Sequence, residues 1–209
     1  MKKLLFTLLS SAIINSSFAV GITEGIDYTV ISAPAKAIAL KPGKVNVSEF
    51  FSYACIHCSL LEPILDQWLA TTKNVDLNRI QVVWEGHFNG FAKINATAQL
   101  LKLDSNFNQQ AFAAVMNQHQ NLEDPAQLQT FLNANKALVD PSKFMAVYNS
   151  FAVSLKPQEY SQYTQSYNIS GTPTFIIANK YMTKPAQPPQ LIQVIQALVA
   201  KVKKEQKIK

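Results

Sequence analysis

The chain contains two cysteines, Cys55 and Cys58, three positions apart where a strand pattern gives way to a helix pattern. Upstream, Val45-Asn46-Val47-Ser48-Glu49-Phe50-Phe51 reads as a strand apolar enough to sit inside a sheet. Downstream, Leu61, Ile64, Leu65, Trp68 and Leu69 recur at helical spacing, so the pair opens an amphipathic helix, which Pro63 is expected to kink. A disulfide stabilises by closing a long loop, and one between Cys55 and Cys58 would close almost nothing. The pair is therefore read as chemistry rather than as a staple. At a helix N-terminus the unpaired N–H groups and the dipole favour a Cys55 thiolate. His57 can add positive charge or a hydrogen bond, and Cys58, one turn deeper, is placed to resolve a mixed disulfide. Zinc is the competing use of such a motif, but structural zinc needs four ligands. His57 is badly placed within the loop, only His87 and His119 remain, and there is no second Cys-x-x-Cys.

The remaining periodicities supply an architecture. Strand candidates are Asp27–Ile31, Ile80–Trp84, Thr174–Ile177 and, after the turn Ala178-Asn179-Lys180, Tyr181–Thr183. Between Phe91 and Tyr167 the pattern is helical throughout, punctuated by loop or capping signals at Asp104-Ser105, Glu123-Asp124-Pro125 and Asp140-Pro141-Ser142. A last helix follows Pro188-Pro189 and buries Leu191, Ile192, Ile195, Leu198, Val199 and Val202. The fold class is α/β: a sheet flanked by helices and interrupted by an all-helical subdomain. The expected division is 20–87 with 161–209 for the sheet domain and 88–160 for the insertion.

The first 19 residues read as a secretory signal, with Lys2 and Lys3, an apolar run from Leu4 to Ile14 and Ser17-Phe18-Ala19 before the expected cut. An uncleaved anchor is the other reading of the same segment. No later run approaches the roughly 20 apolar residues of a membrane span, so no stable membrane insertion is expected after cleavage. The product is expected outside the cytoplasm, in the periplasm. The net charge of +6 does not indicate a nucleic-acid binder. Lys2 and Lys3 leave with the signal, and five lysines between Lys201 and Lys209 account for the excess that remains. Such a tail reads as a solvated helix end that suits the dipole.

Two further places carry possible chemistry. Gly171-Thr172-Pro173 before an apolar strand is either a plain turn or, paired with an upstream Cys-x-x-Cys, a loop that offers backbone to an extended substrate. Strand alternation puts Glu49 on the face of Val45, Val47 and Phe51. There it is either a carboxylate under the motif, able to exchange a proton with Cys58, or a strand-edge acid in water.

Glu49-Phe50-Phe51-Ser52-Tyr53-Ala54-Cys55-Ile56-His57-Cys58 resembles the active-site stretch of the bacterial DsbA family, within the thioredoxin superfamily. Gly171-Thr172-Pro173-Thr174-Phe175 resembles its second signature, and Asn179-Lys180-Tyr181 the hairpin turn beyond. The resemblance implies a thioredoxin-like sheet with a helical insert, a cis Pro173 against the cysteines, and substrate contacts at Gly171, Thr172, Pro173 and Ile56. It also implies donation of a Cys55–Cys58 disulfide to reduced or unfolded exported proteins, with no metal or organic cofactor. Reoxidation would come from a quinone-linked DsbB-type membrane protein. An acidic cysteine and an oxidising couple are recognised traits of that family, so the resemblance brings them along. The chain departs from it at Ile56, where proline is common, at Thr172, where some members have valine, and at Pro63, which is more like thioredoxin. The rival functions are a disulfide isomerase or reductase, and a non-catalytic peptide-binding chaperone module using the same groove. Against an isomerase, only about 25 residues separate Ala19 from the strand that leads into the cysteine pair, too few for the usual dimerisation region.

Overall fold

The computed structural model describes residues 21–208; the expected signal, residues 1–19, lies outside the described residues. The order of elements is β1 (Tyr28–Val30), β2 (Val45–Phe51), α1 (Ile56–Thr71), β3 (Val75–Gln81), six helices, β4 (Thr174–Ile177), β5 (Tyr181–Thr183) and α8 (Pro188–Gln206). The six are α2 (Asn89–Leu100), α3 (Ser105–Met116), α4 (Pro125–Ala134), α5 (Pro141–Tyr148), α6 (Phe151–Ser154) and α7 (Lys156–Ser166). The strands form one mixed sheet in the order β1-β5-β4-β2-β3. β2 runs parallel to β3, with Val45 opposite Val75 and Phe51 opposite Gln81, and antiparallel to β4, with Glu49 opposite Phe175. Every residue of β2 is buried, which is why it carries an apolar run instead of an alternation.

One sheet boundary differs from the sequence expectation. The strand expected at Ile80–Trp84 lies at Val75–Gln81. Its polar members Asp76, Asn78 and Arg79 hide it from propensity, but seven register contacts with β2 override that. Val82, Val83 and Trp84 run past the end of β2, where the neighbouring chain turns off into the cysteine loop. Only the Val82 N–H continues the ladder, donating to the Phe51 carbonyl at 2.9 Å.

The helix starts follow their caps. Asp104, Asp124 and Asp140 accept from N–H groups in the first turns of α3, α4 and α5, and proline opens α4 and α5. Ala178 and Asn179 both have positive φ, near 53° and 55°, at the centre of the β-turn that the Lys180 N–H closes on the Ile177 carbonyl at 3.0 Å, in the three-residue connection between β4 and β5. α1 runs through Pro63 as one helix.

Three apolar clusters surround the sheet. On one face α1 and α8 bury Leu61, Leu65, Trp68, Leu191, Ile195 and Leu198 against Val45, Val47 and Phe175. On the other, Ala92 and Ala96 of α2 and Tyr160 of α7 cover Phe50, Ile80 and Ile176. The third lies inside the helical insert, around Phe107, Phe112, Phe131 and Phe144. It reaches the sheet end through Phe51, Tyr53 and Cys58, so the cysteine pair stands where insert and sheet meet.

Candidate active site

Cys55 is the N-cap of α1, in an extended conformation that directs its sulfur back over the first turn. The Cys58 N–H donates to Cys55 Sγ at 3.3 Å. The loop before it is braced from below. Gln81 accepts from the Tyr53 N–H at 3.0 Å and donates to Ser52 Oγ at 3.2 Å, while the Cys55 N–H donates to the Ser52 carbonyl at 2.9 Å. Across the gap, the Thr172–Pro173 peptide is cis, and the Cys55 thiol donates to the Thr172 carbonyl at 3.3 Å. The expected meeting of the two sequence signatures is present, with Thr172 turned toward the nucleophile.

Both cysteines are free thiols here, and their surroundings drive them apart. The hydrogen bond with the Cys58 thiol, assisted by the Thr172 side chain and the backbone N–H groups of Cys58 and His57, outweighs partial burial and lowers Cys55 to a pKa of about 5. Burial, then the bond to Cys55 and the charges of Cys55 and Glu49, push Cys58 far upward; it is 0% exposed. At neutral pH the outer sulfur is a thiolate and the inner one holds its proton.

The other expected site residues fall on two sides of this pair. His57 is exposed and lines a cleft of about 730 Å³ with Gly171, Thr172, Pro173 and the β5–α8 connection. Ile56 is 46% exposed at the start of α1. Glu49 is 1% exposed beneath the motif, so the reading as a strand-edge acid in water is excluded. It lies 3.2 Å from Nε of Arg79, on the neighbouring β3.

Sequence reasoning did not find the rest of that buried cluster. Arg79 also pairs with Glu62 at 2.7 Å and with Asp66 at 3.5 Å, so one cation faces three carboxylates. Desolvation outweighs the attraction of Arg79, raising Glu49 and lifting Glu62 to about 8. Two signals were available. Glu62 stands four residues after Cys58 on the buried face of α1, where a carboxylate needs a partner. Arg79 shares the parity of Val75 and Leu77, which is visible only once the strand is given its true start.

A sulfur held as thiolate at a helix start, a protonated sulfur behind it and a cis-proline loop facing both define a class: proteins of thioredoxin fold that exchange thiols and disulfides. Residues 76–195 match the DsbA-like thioredoxin domain. The chain is 32% identical to the thiol:disulfide interchange protein DsbA of Burkholderia cepacia over 97% of its own length and 98% of that protein. The structure of reduced DsbA1 from Neisseria meningitidis superposes with a TM-score of 0.81 at 32% identity, covering 90% of this chain and 98% of that one. DsbA from Pseudomonas aeruginosa gives 0.79 at 26%, covering 89% and 97%. This chain belongs to the DsbA family of thiol:disulfide oxidoreductases.

Proposed function

We propose that the protein is an exported dithiol oxidase that passes a Cys55–Cys58 disulfide to reduced or unfolded proteins in the periplasm. The observation that carries this direction is the contrast between the sulfurs, with Cys55 near 5 and Cys58 raised. A stabilised thiolate in the reduced pair favours the dithiol and makes the disulfide the stronger oxidant. In the forward reaction a substrate thiolate attacks Cys55 Sγ. The substrate–Cys55 bond forms as the Cys55–Cys58 bond breaks, and the electron pair leaves on Cys58. A buried thiolate there must take up a proton, and the carboxylic acid of Glu49, whose charge bears on Cys58, is the donor at hand. A second substrate thiolate then attacks the substrate sulfur, forming the substrate disulfide and releasing Cys55 as its low-pKa thiolate. The substrate is oxidised by two electrons and the enzyme pair reduced by two.

Substrate would lie along the cleft beside His57. Gly171, Thr172 and Pro173 offer it backbone, as an added strand would need, and Ile56 supplies apolar contact. The Thr172 carbonyl accepts from Cys55 only while that sulfur carries a proton, so it is free for substrate when Cys55 is a thiolate or part of the disulfide. Export through residues 1–19, reoxidation by a quinone-linked DsbB-type membrane oxidase and chemistry without metal or organic cofactor complete the reading. Among the described residues no helix is long and apolar enough to cross a membrane.

Trapping the pair with an alkylating reagent in intact cells tests the direction. The oxidase reading expects the disulfide form to dominate at steady state. A mostly dithiol pair would overturn it in favour of a reductase or isomerase. In a refolding assay, Cys55→Ser should abolish oxidation of a reduced protein, whereas a chaperone module would keep its effect.

A further inference from the structure

The strands and helices that present Cys55 at one end of the molecule gather lysines at the other. α1 is capped by Cys55 and ends at Thr71, so about 24 Å of helix separates the cysteine pair from this second end. Here the sequence shows only a lysine-rich tail. The structure adds lysines from three other segments to it. Lys203 Nζ of α8 donates to the Lys73 carbonyl in the α1–β3 loop at 2.8 Å. Glu205 holds Lys180 of the β4–β5 turn at 2.8 Å and Lys201 at 3.2 Å. Lys44 stands beside them, because the next residue, Val45, donates to the Asn74 carbonyl at 2.9 Å. Lys41 closes the group on Asp76 at 2.7 Å.

This pole carries Lys41, Lys44, Lys73, Lys180, Lys201, Lys203, Lys204 and Lys207 against two carboxylates, Asp76 and Glu205. The other described residues hold eight basic and eleven acidic side chains, so positive charge is segregated to one end of an otherwise slightly acidic body. Six of the eight lysines outnumber what local carboxylates can neutralise, and Lys44, Lys73, Lys204 and Lys207 are exposed. The reading of the tail as a solvated helix end is thus incomplete. The pole has no arginine, since Arg79, the only one in the chain, is buried under the cysteines. Lysines are mobile point charges without the planar fork that grips a single phosphate. An array of that kind suits a surface of many diffuse anionic groups.

We infer that this pole docks the protein on an anionic lipid surface, with the cysteine pair and its cleft directed away from the lipid. Held this way, the nucleophile faces chains in solution. Direct contact of Cys55 with any membrane-embedded partner then requires release from the lipid. The docking itself does not depend on the direction of thiol exchange.

The test is co-sedimentation of the full chain with phosphatidylglycerol vesicles and, separately, phosphatidylcholine vesicles. Binding to the anionic vesicles should be at least about tenfold tighter and should fall steeply by about 0.3 M salt, where charges are screened within a few ångströms. Replacing Lys201, Lys203, Lys204 and Lys207 with Gln should remove most of it. Because Lys201 and Lys203 also make structural contacts, K44Q/K73Q serves as a second variant, expected to weaken binding severalfold. Both variants should react with a soluble dithiol at the parental rate, and vesicle-bound parent should do so too. Equal binding to both vesicles, unchanged pelleting of the lysine variants, or loss of dithiol reactivity on the vesicle would each overturn the inference. Retention on polyglutamate without vesicle binding would assign the pole to an acidic polypeptide and overturn it as well.

Discussion

On one flank of the cysteine pair, Cys55 meets solvent, the His57 side of a cleft and the backbone of Thr172. On the other, Cys58 packs with Phe51 and Tyr53 and feels the charge of Glu49, which with buried Glu62 and half-buried Asp66 shares the Arg79 guanidinium. The open flank is made of helix-start geometry and backbone hydrogen bonds. The closed flank is made of burial and charge. Two chemically identical side chains, three residues apart, thereby become a thiolate and a firmly protonated thiol. The difference teaches that the environment, not the motif, assigns nucleophile and resolving roles.

The largest effect should come from exchanging the two sulfurs for hydroxyls. Cys55→Ser should lower oxidation of a reduced protein by about a thousandfold or more, about 4 kcal/mol of barrier. Cys58→Ser should instead leave Cys55 able to attack and accumulate long-lived mixed disulfides, visible on non-reducing gels. Equal accumulation by both variants would erase the distinction between the flanks.

Next in size is the closed flank. Arg79→Met leaves Glu49 and Glu62 buried without their cation, and urea unfolding should show a loss of about 3 kcal/mol at neutral pH. The loss should grow as pH rises through about 8, where Glu62 gives up its proton and most needs Arg79. Glu62 supplies the companion effect. Its pKa of about 8 in the folded chain stands above the ordinary 4.5, so the folded state binds this proton more tightly. The stability it contributes is fully present below 4.5 and is lost as pH rises through about 8. Glu62→Gln should flatten that decline, and an unchanged profile would remove Glu62 from the coupled cluster.

Much of the open flank is legible in the sequence because it depends on local order: strand, two cysteines, helix, and a Gly-Thr-Pro before another strand. The capped helices of the insert are legible for the same reason, through Asp104, Asp124 and Asp140. Glu49 shows its face by alternation but not its burial, which depends on helices that arrive far along the chain. Arg79 is hidden because β3 contains Asp76 and Asn78, and because the apolar Val82-Val83-Trp84 pulls the strand pattern toward the wrong residues. The basic pole is half-legible: the tail is visible, whereas Lys44, Lys73 and Lys180 join it only through sheet topology.

The smallest effect concerns the Thr172 contact. Thr172→Val removes the hydroxyl that helps to hold the Cys55 thiolate while keeping side-chain volume. The ionisation midpoint of Cys55 should rise by the roughly 1 kcal/mol of one hydrogen bond, measured by thiolate absorbance. A midpoint that does not move would leave the Cys58 thiol and the N–H groups of the helix start responsible.

The central claim, that the fold splits one cysteine pair into unlike groups, is tested most directly by pH titration of the reduced protein with thiolate absorbance as the readout. One thiol should ionise near pH 5, and the second should remain protonated through the ordinary cysteine value of 9. Two thiols titrating together near 9 would contradict the account.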